Sequence, residues 1–113
     1  LEISRTGMRE QEARVLGLEV VAATIKASTK AHYALGAGPV HVKAIAERGT
    51  GRLLGCQIVG KAGAGKRIDA AATAIWNGMT VEEVTSLDLA YAPPFSPVWD
   101  PLQMATRKLT GMV

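Results

Sequence analysis

Few residues in this sequence have the type and spacing for chemistry. Gly60-Lys61-Ala62-Gly63-Ala64-Gly65-Lys66-Arg67 follows a strand-like run and opens a helix-like one. It comes within one residue of a phosphate-cradling P-loop, G-x-x-x-x-G-K-[ST], but Arg67 stands where the hydroxyl that holds Mg²⁺ is needed. The plainer reading is a glycine-rich turn into a helix with a basic rim. His32 and His41 are nine apart with no carboxylate at ligand spacing, and Cys56 sits in an apolar run. Such a cysteine is more often a small core residue than a ligand or nucleophile. No Ser/His/Asp or Cys/His set is evident. Tyr33 and Tyr91 remain, each in a loop-like segment. A tyrosine offers an apolar face and a donor hydroxyl at low entropic cost. From composition alone, both read as surface or interface residues without a catalytic part.

The bounds around these residues are narrow. At 113 residues, 48% of them hydrophobic, the chain fits one domain with a core that needs no disulfide staples. Its single cysteine excludes an intramolecular disulfide framework and suits a reducing, cytoplasmic setting. No apolar run is long enough for a bilayer. The net charge of +3 is small and its lysines and arginines are scattered, which argues against nucleic acid as a partner. Leu1-Glu2-Ile3-Ser4 lacks an initiator Met and reads as mid-strand, so the chain is expected to be a piece of a longer protein. Three of the five aromatics, Tyr91, Phe95 and Trp99, cluster in nine residues, which marks that segment as packed against something.

The elements that must position these residues can be read in order. Residues 1–6 end a strand. Arg9 to Leu16 forms a short helix with Glu10 and Glu12 in its favourable first turn, stopped by Gly17. Leu18 to Lys26 is β-rich, and Ser28 to Pro39 is a loop. Val40 to Glu47 and Arg52 to Val59 flank the glycine-bearing turn Arg48-Gly49-Thr50-Gly51, a hairpin signal. In the second run Leu54, Cys56 and Ile58 share one face, and Leu53 and Val59 the other, so both faces call for cover. Ala64 to Asn77 is a helix with Ile68, Ala72, Ile75 and Met79 on its apolar stripe and Ala70, Ala71 and Ala74 allowing close approach. Thr80 and Glu83 form a capping box for a short helix. A last helix starts at Pro97 after Ser96 or at Pro101 after Asp100, and is regular from Pro101 to about Leu109. Strands grouped first and helices afterwards predict an α+β, two-layer sandwich. The expected sheet is antiparallel, of three to four or five strands, with about three helices packed on it.

Several segments together resemble one family. Arg5-Thr6-Gly7-Met8-Arg9-Glu10-Gln11-Glu12-Ala13 is similar to the opening of the dimerisation domain of FAD-dependent pyridine nucleotide-disulfide oxidoreductases. Thr50 to Gly60 resembles its hairpin strand. Lys66-Arg67-Ile68-Asp69, Ala71 to Ala74 and Asn77 to Val84 resemble its central helices. Tyr91-Ala92-Pro93-Pro94-Phe95-Ser96-Pro97-Val98-Trp99-Asp100-Pro101 resembles the closing motif of the coenzyme A disulfide reductase branch, with its related NADH oxidases and persulfide reductases. The likeness covers nearly the whole chain, and four motifs in the right order are specific.

The resemblance implies that residues 1–113 are a homodimerisation domain. They would pack against their own N-terminal FAD and NAD(P)H domains and complete the partner subunit's active site. It implies no cofactor in this piece, and FAD and NAD(P)H in the full-length protein. In other branches a His-Pro loop carries the acid/base histidine, oriented by a nearby Glu. Here Tyr91 takes the place of the His and Ser96 stands about where the Glu would be. The coenzyme A disulfide reductase branch presents two tyrosines to the partner's redox cysteine and flavin. Tyr33 and Tyr91 match those places, with Ala92 and Pro93 expected near the partner flavin. The redox cysteine belongs to the FAD domain, and Cys56 does not match it. The implied acceptors are a small-molecule disulfide, a persulfide or oxygen. The competing expectation is a free-standing dimeric interaction module with no flavin partner.

Overall fold

A computed structural model describes residues 1–28, 38–61, 63–89 and 100–113. Four strands, β1 (Glu2–Gly7), β2 (Val20–Ser28), β3 (Pro39–Glu47) and β4 (Leu53–Gly60), form one antiparallel sheet in the order β1-β4-β3-β2. Four helices complete the described residues: α1 (Glu10–Val15), α2 (Ala64–Trp76), α3 (Val81–Thr85) and α4 (Pro101–Thr110). This is the expected two-layer α+β sandwich, with each of the four helices in the place expected for it from the sequence. α2 lies over β1 and β4 and α4 over β2 and β3, so the two share one face of the sheet. Between them and the sheet lies the main core, built on Val21, Val40, Val42, Ala44, Cys56 and Ile58 from the strands and Ala71, Ala74, Leu102 and Leu109 from the helices.

Alternation along β4 breaks at one point. Ala46 pairs with Leu53 and Ile45 with Gly55, so Leu54 is an extra residue, a β-bulge. The bulge reverses the inside–outside order, and the expected faces are corrected accordingly. Leu53 joins Cys56 and Ile58 in the main core, whereas Leu54 turns to the opposite face, where it packs with Ala13, Val20 and Ile45 under α1. Gly55 is required beside the bulge. A Cβ there would lie 1.9 Å from the Met8 carbonyl oxygen, and the Met8 amide donates to the Leu54 carbonyl at 2.9 Å. The stripe on α2 shifts as well. Ala64, Ala71 and Ala74 are its buried centre and Ile68 and Ile75 its margins, while Ala72 lies outside the core cluster.

Helix ends follow local rules. Thr80 and Glu83 make the capping box in full, at 3.1 and 2.9 Å. Asp100 caps α4, accepting from the Leu102 amide at 2.8 Å, with Pro101 in the first turn. The helix thus starts at the second of its two candidate positions. Among the described residues no helix is long and apolar enough to cross a membrane.

Candidate functional site

Tyr33, Tyr91, Ala92 and Pro93 lie outside the described residues, as do His32 and Ser96. The site is therefore built from the framework that holds both ends of each tyrosine-bearing segment. Residues 29–37 connect β2 to β3, and their flanks are paired, Ala27 with Val40 and Ser28 with Pro39. Gly38 approaches Lys61, the residue after β4: a Cβ on Gly38 would lie 3.4 Å from the lysine Cδ. That end of the sheet is also where α2 begins. Ser4 Oγ donates to the Ala64 carbonyl at 3.4 Å, and the Glu2 carboxylate accepts from the Gly65 amide at 2.7 Å.

The described flanks of residues 90–99 lie near the same end. On the N-terminal side, two residues before Leu89, the Leu87 carbonyl accepts from Gln103 Nε2 at 2.6 Å, in the first turn of α4. On the C-terminal side stands Asp100, the N-cap of α4, which is ion-paired with Arg67 in the first turn of α2. That pair is nearly dry, with side-chain exposures of 8% and 9%. The frames of the two tyrosine segments therefore converge on one end of the sandwich, around the N-termini of α2 and α4.

The remaining sequence candidates have structural places. Glu2 already occupies an amide of the glycine-rich turn with its own carboxylate, so the turn lacks a free P-loop cradle as well as the hydroxyl. His41 is exposed on β3, and among the described residues no three His, Cys, Asp or Glu side chains come together as ligands. Cys56 is fully buried in the main core. Burial, and then the Asp100 charge, push its thiol up to about 12, so it stays protonated at neutral pH. The described sheet is wholly antiparallel, and nothing in it makes the parallel βαβ unit whose first turn binds a dinucleotide. The described residues thus offer no dinucleotide-binding βαβ turn for FAD or NAD(P)H. The Arg67–Asp100 pair escaped the sequence reading. Its only trace was Asp100 as a cap and Arg67 as a basic residue on a helix rim.

Comparison with known proteins places this framework. The family described as "Pyridine nucleotide-disulphide oxidoreductase, dimerisation domain" matches residues 1–102. The chain is 50% identical, over 96% of its length, to an NAD(P)H sulfur oxidoreductase (CoA-dependent) of Pyrococcus furiosus, of which it covers 24%. It is 33% identical, over 83% of its length, to a coenzyme A disulfide reductase of Staphylococcus epidermidis, of which it covers 21%. Among solved structures, an NAD-dependent persulfide reductase from A. fulgidus superposes with a TM-score of 0.93 at 37% identity, over 97% of this chain and 20% of that one. The chain thus spans about a quarter or less of the relatives it matches.

Proposed function

We propose a function from one premise: this chain belongs to the pyridine nucleotide-disulphide oxidoreductase dimerisation-domain family. Its relatives carry the names of the branch that the closing motif suggested. In our reading the whole protein is a cytoplasmic, homodimeric FAD-dependent NAD(P)H oxidoreductase acting on a disulfide, a persulfide or oxygen. The flavin, the nicotinamide and the redox cysteine are held by residues beyond this domain. Residues 1–113 are the unit that pairs two subunits and presents Tyr91 and Tyr33 to the partner's active site, with Ala92 and Pro93 beside the partner flavin.

The single observation that carries the reading is the convergence of both tyrosine frames on one end of the sandwich. The two tyrosines stand 58 residues apart in sequence, and the described flanks of their segments are fixed by strand pairing at Ser28–Pro39 and by the buried ion pair at Asp100. A tyrosine hydroxyl near its ordinary pKa of about 10 is a poor base at neutral pH but a good hydrogen-bond donor. It suits steadying negative charge on sulfur and supplying a proton to a leaving thiol. Ala92-Pro93-Pro94 restricts the chain after Tyr91, because proline fixes its own φ and constrains the residue before it.

The test is Tyr91→Phe in the full-length enzyme. Disulfide or persulfide turnover is expected to fall roughly ten- to thousandfold, as for loss of a donor to transition-state charge. Flavin reduction by NAD(P)H and the dimer should stay intact. Unchanged turnover would return Tyr91 to a packing role.

A further inference from the structure

The sequence holds a single asparagine, Asn77, and a glycine follows it. In that setting the next backbone nitrogen can attack the asparagine's own side-chain carbonyl with least hindrance, because glycine has no Cβ to crowd the ring that forms. The end of α2 demands this glycine. Gly78 has a φ of +64°, in the left-handed region. Its amide donates to the Ile75 carbonyl at 3.0 Å, and the Met79 amide donates to the Ala74 carbonyl, also at 3.0 Å. Those two bonds around a left-handed glycine make a Schellman cap.

The same cap occupies both reacting groups. The Gly78 nitrogen is engaged with Ile75, and the Asn77 side-chain amide donates to the Thr73 carbonyl at 2.8 Å. Asn77 and Gly78 are themselves exposed, and a Cβ on Gly78 would meet nothing within 4 Å. Water therefore reaches the pair, and what restrains it is the hydrogen bonding of one helix end. Helix ends fray, at a free energy well below that of global unfolding.

We propose that Asn77–Gly78 is a site of spontaneous deamidation, gated by opening of the α2 cap. In the open form, base takes the Gly78 amide proton and the nitrogen bonds to Asn77 Cγ. The Cγ–Nδ2 bond breaks, and Nδ2 leaves as ammonia. Water then opens the cyclic imide at either carbonyl, giving aspartate or isoaspartate. Nothing is oxidised or reduced, and water and base are the only co-reactants. Either product loses the bond to Thr73 and puts a carboxylate at the C-terminus of α2, where the helix dipole disfavours it. Isoaspartate also adds a methylene to the backbone next to Met79, whose carbonyl accepts from the Leu53 amide at 2.9 Å. The modification thus loosens the joint between α2 and β4. It is independent of the function proposed above.

The test follows residue 77 in the full-length protein at pH 8, by peptide mapping that separates aspartate from isoaspartate. Asn77 should convert in the folded protein, faster as hydroxide rises, and more slowly than in the same protein denatured in urea. Thr73 is exposed in the last turn of α2, so replacing it tunes the cap without altering the reacting pair. Thr73→Gly should convert about fivefold faster than Thr73→Ala, from the helix propensities of the two residues. Urea well below the unfolding midpoint should leave the rate nearly constant. Asn77→Gln should show no conversion. An Asn77 that stays intact in the folded protein while the denatured one converts overturns the proposal. Equal rates in the two Thr73 variants overturn it too, as does a rate that follows the global unfolding equilibrium through the urea series.

Discussion

Cys56 shows how much a single residue's setting decides. It lies in the middle of β4, paired with Ala44 and fully buried, close enough to Asp100 for that charge to disfavour a thiolate. Such a thiol is chemically silent at neutral pH. Alkylating reagents at pH 8 are expected to leave it unmodified in the folded protein and to react once the chain unfolds; native-state labelling followed by mass spectrometry checks this. The same shift has a thermodynamic sign. The folded thiol titrates near 12 and the unfolded one near 9.0. Below pH 9 both are protonated and the contribution to stability is full. Above it the unfolded state loses its proton first, and stability falls until the folded pKa is reached. The full loss is on the order of 4 kcal/mol, at about 1.4 kcal/mol per unit. Urea midpoints from pH 8 to 11 should therefore fall more steeply for the native sequence than for Cys56→Ala. Parallel curves would show that the thiol is not the group responsible. The sequence identified Cys56 as a core residue from its apolar neighbours. It could not show the nearby Asp100, 44 residues further on, because that proximity arises only when α4 docks on the sheet.

At the scale of elements, what was legible and what was not divide along physical lines. Caps and turns depend on neighbours in sequence, so the Thr80–Glu83 box, the Asp100 cap and the Gly49–Gly51 hairpin turn could all be read directly. The faces of β4 could not, because one extra residue at Leu54 reverses every side chain beyond it, and strict alternation carries no sign of a bulge. Gly55 records that irregularity. Its missing side chain lets the Met8 carbonyl pass where a Cβ would stand only 1.9 Å away. Gly55→Ala is expected to destabilise the fold by at least about 3 kcal/mol, at the upper end for overpacking, because backbone and not a flexible side chain must yield. Urea denaturation measures this, and a loss under 1 kcal/mol would mean that the β1–α1 connection gives way easily. Thr80→Ala should cost about 1 kcal/mol, the ordinary value of a lost cap, with the same readout. Tyr33 and Tyr91 belong with the unread part. Their type and loop positions marked them only as interface residues, the family resemblance alone gave them a catalytic part, and the structure describes their frames rather than their side chains.

For the molecule as a whole, the question is which surface another subunit covers. One face of the sheet is filled by α2 and α4, whereas α1 covers only the part of the other face around Ile45 and Leu54. The part that no described helix covers carries the cross-strand row Ile3, Val59, His41 and Lys26, with Arg5, Gln57, Lys43 and Thr24 in the next. A two-fold interface sets the same patch against itself. Self-pairing of this face would bring Arg5, Lys26 and Lys43 against like charges and desolvate the Lys43–Glu10 and Arg5–Glu12 pairs. The outer side of α2 offers a better contact. Trp76, 89% exposed, stands beside the small residues Ala72 and Thr73, and tryptophan is among the residues that most often dominate binding energy. The 113-residue chain is therefore expected to associate through α2. Trp76→Ala should weaken that association by about tenfold or more, a cost above 1.4 kcal/mol. The monomer's thermal midpoint should barely move, since an exposed side chain contributes little to folding. Ile3→Ser, on that part of the sheet face, should leave association as it is. Sedimentation equilibrium of the three chains over a hundredfold concentration range measures all of this. Association lost in Ile3→Ser and kept in Trp76→Ala would place the two-fold contact on the sheet.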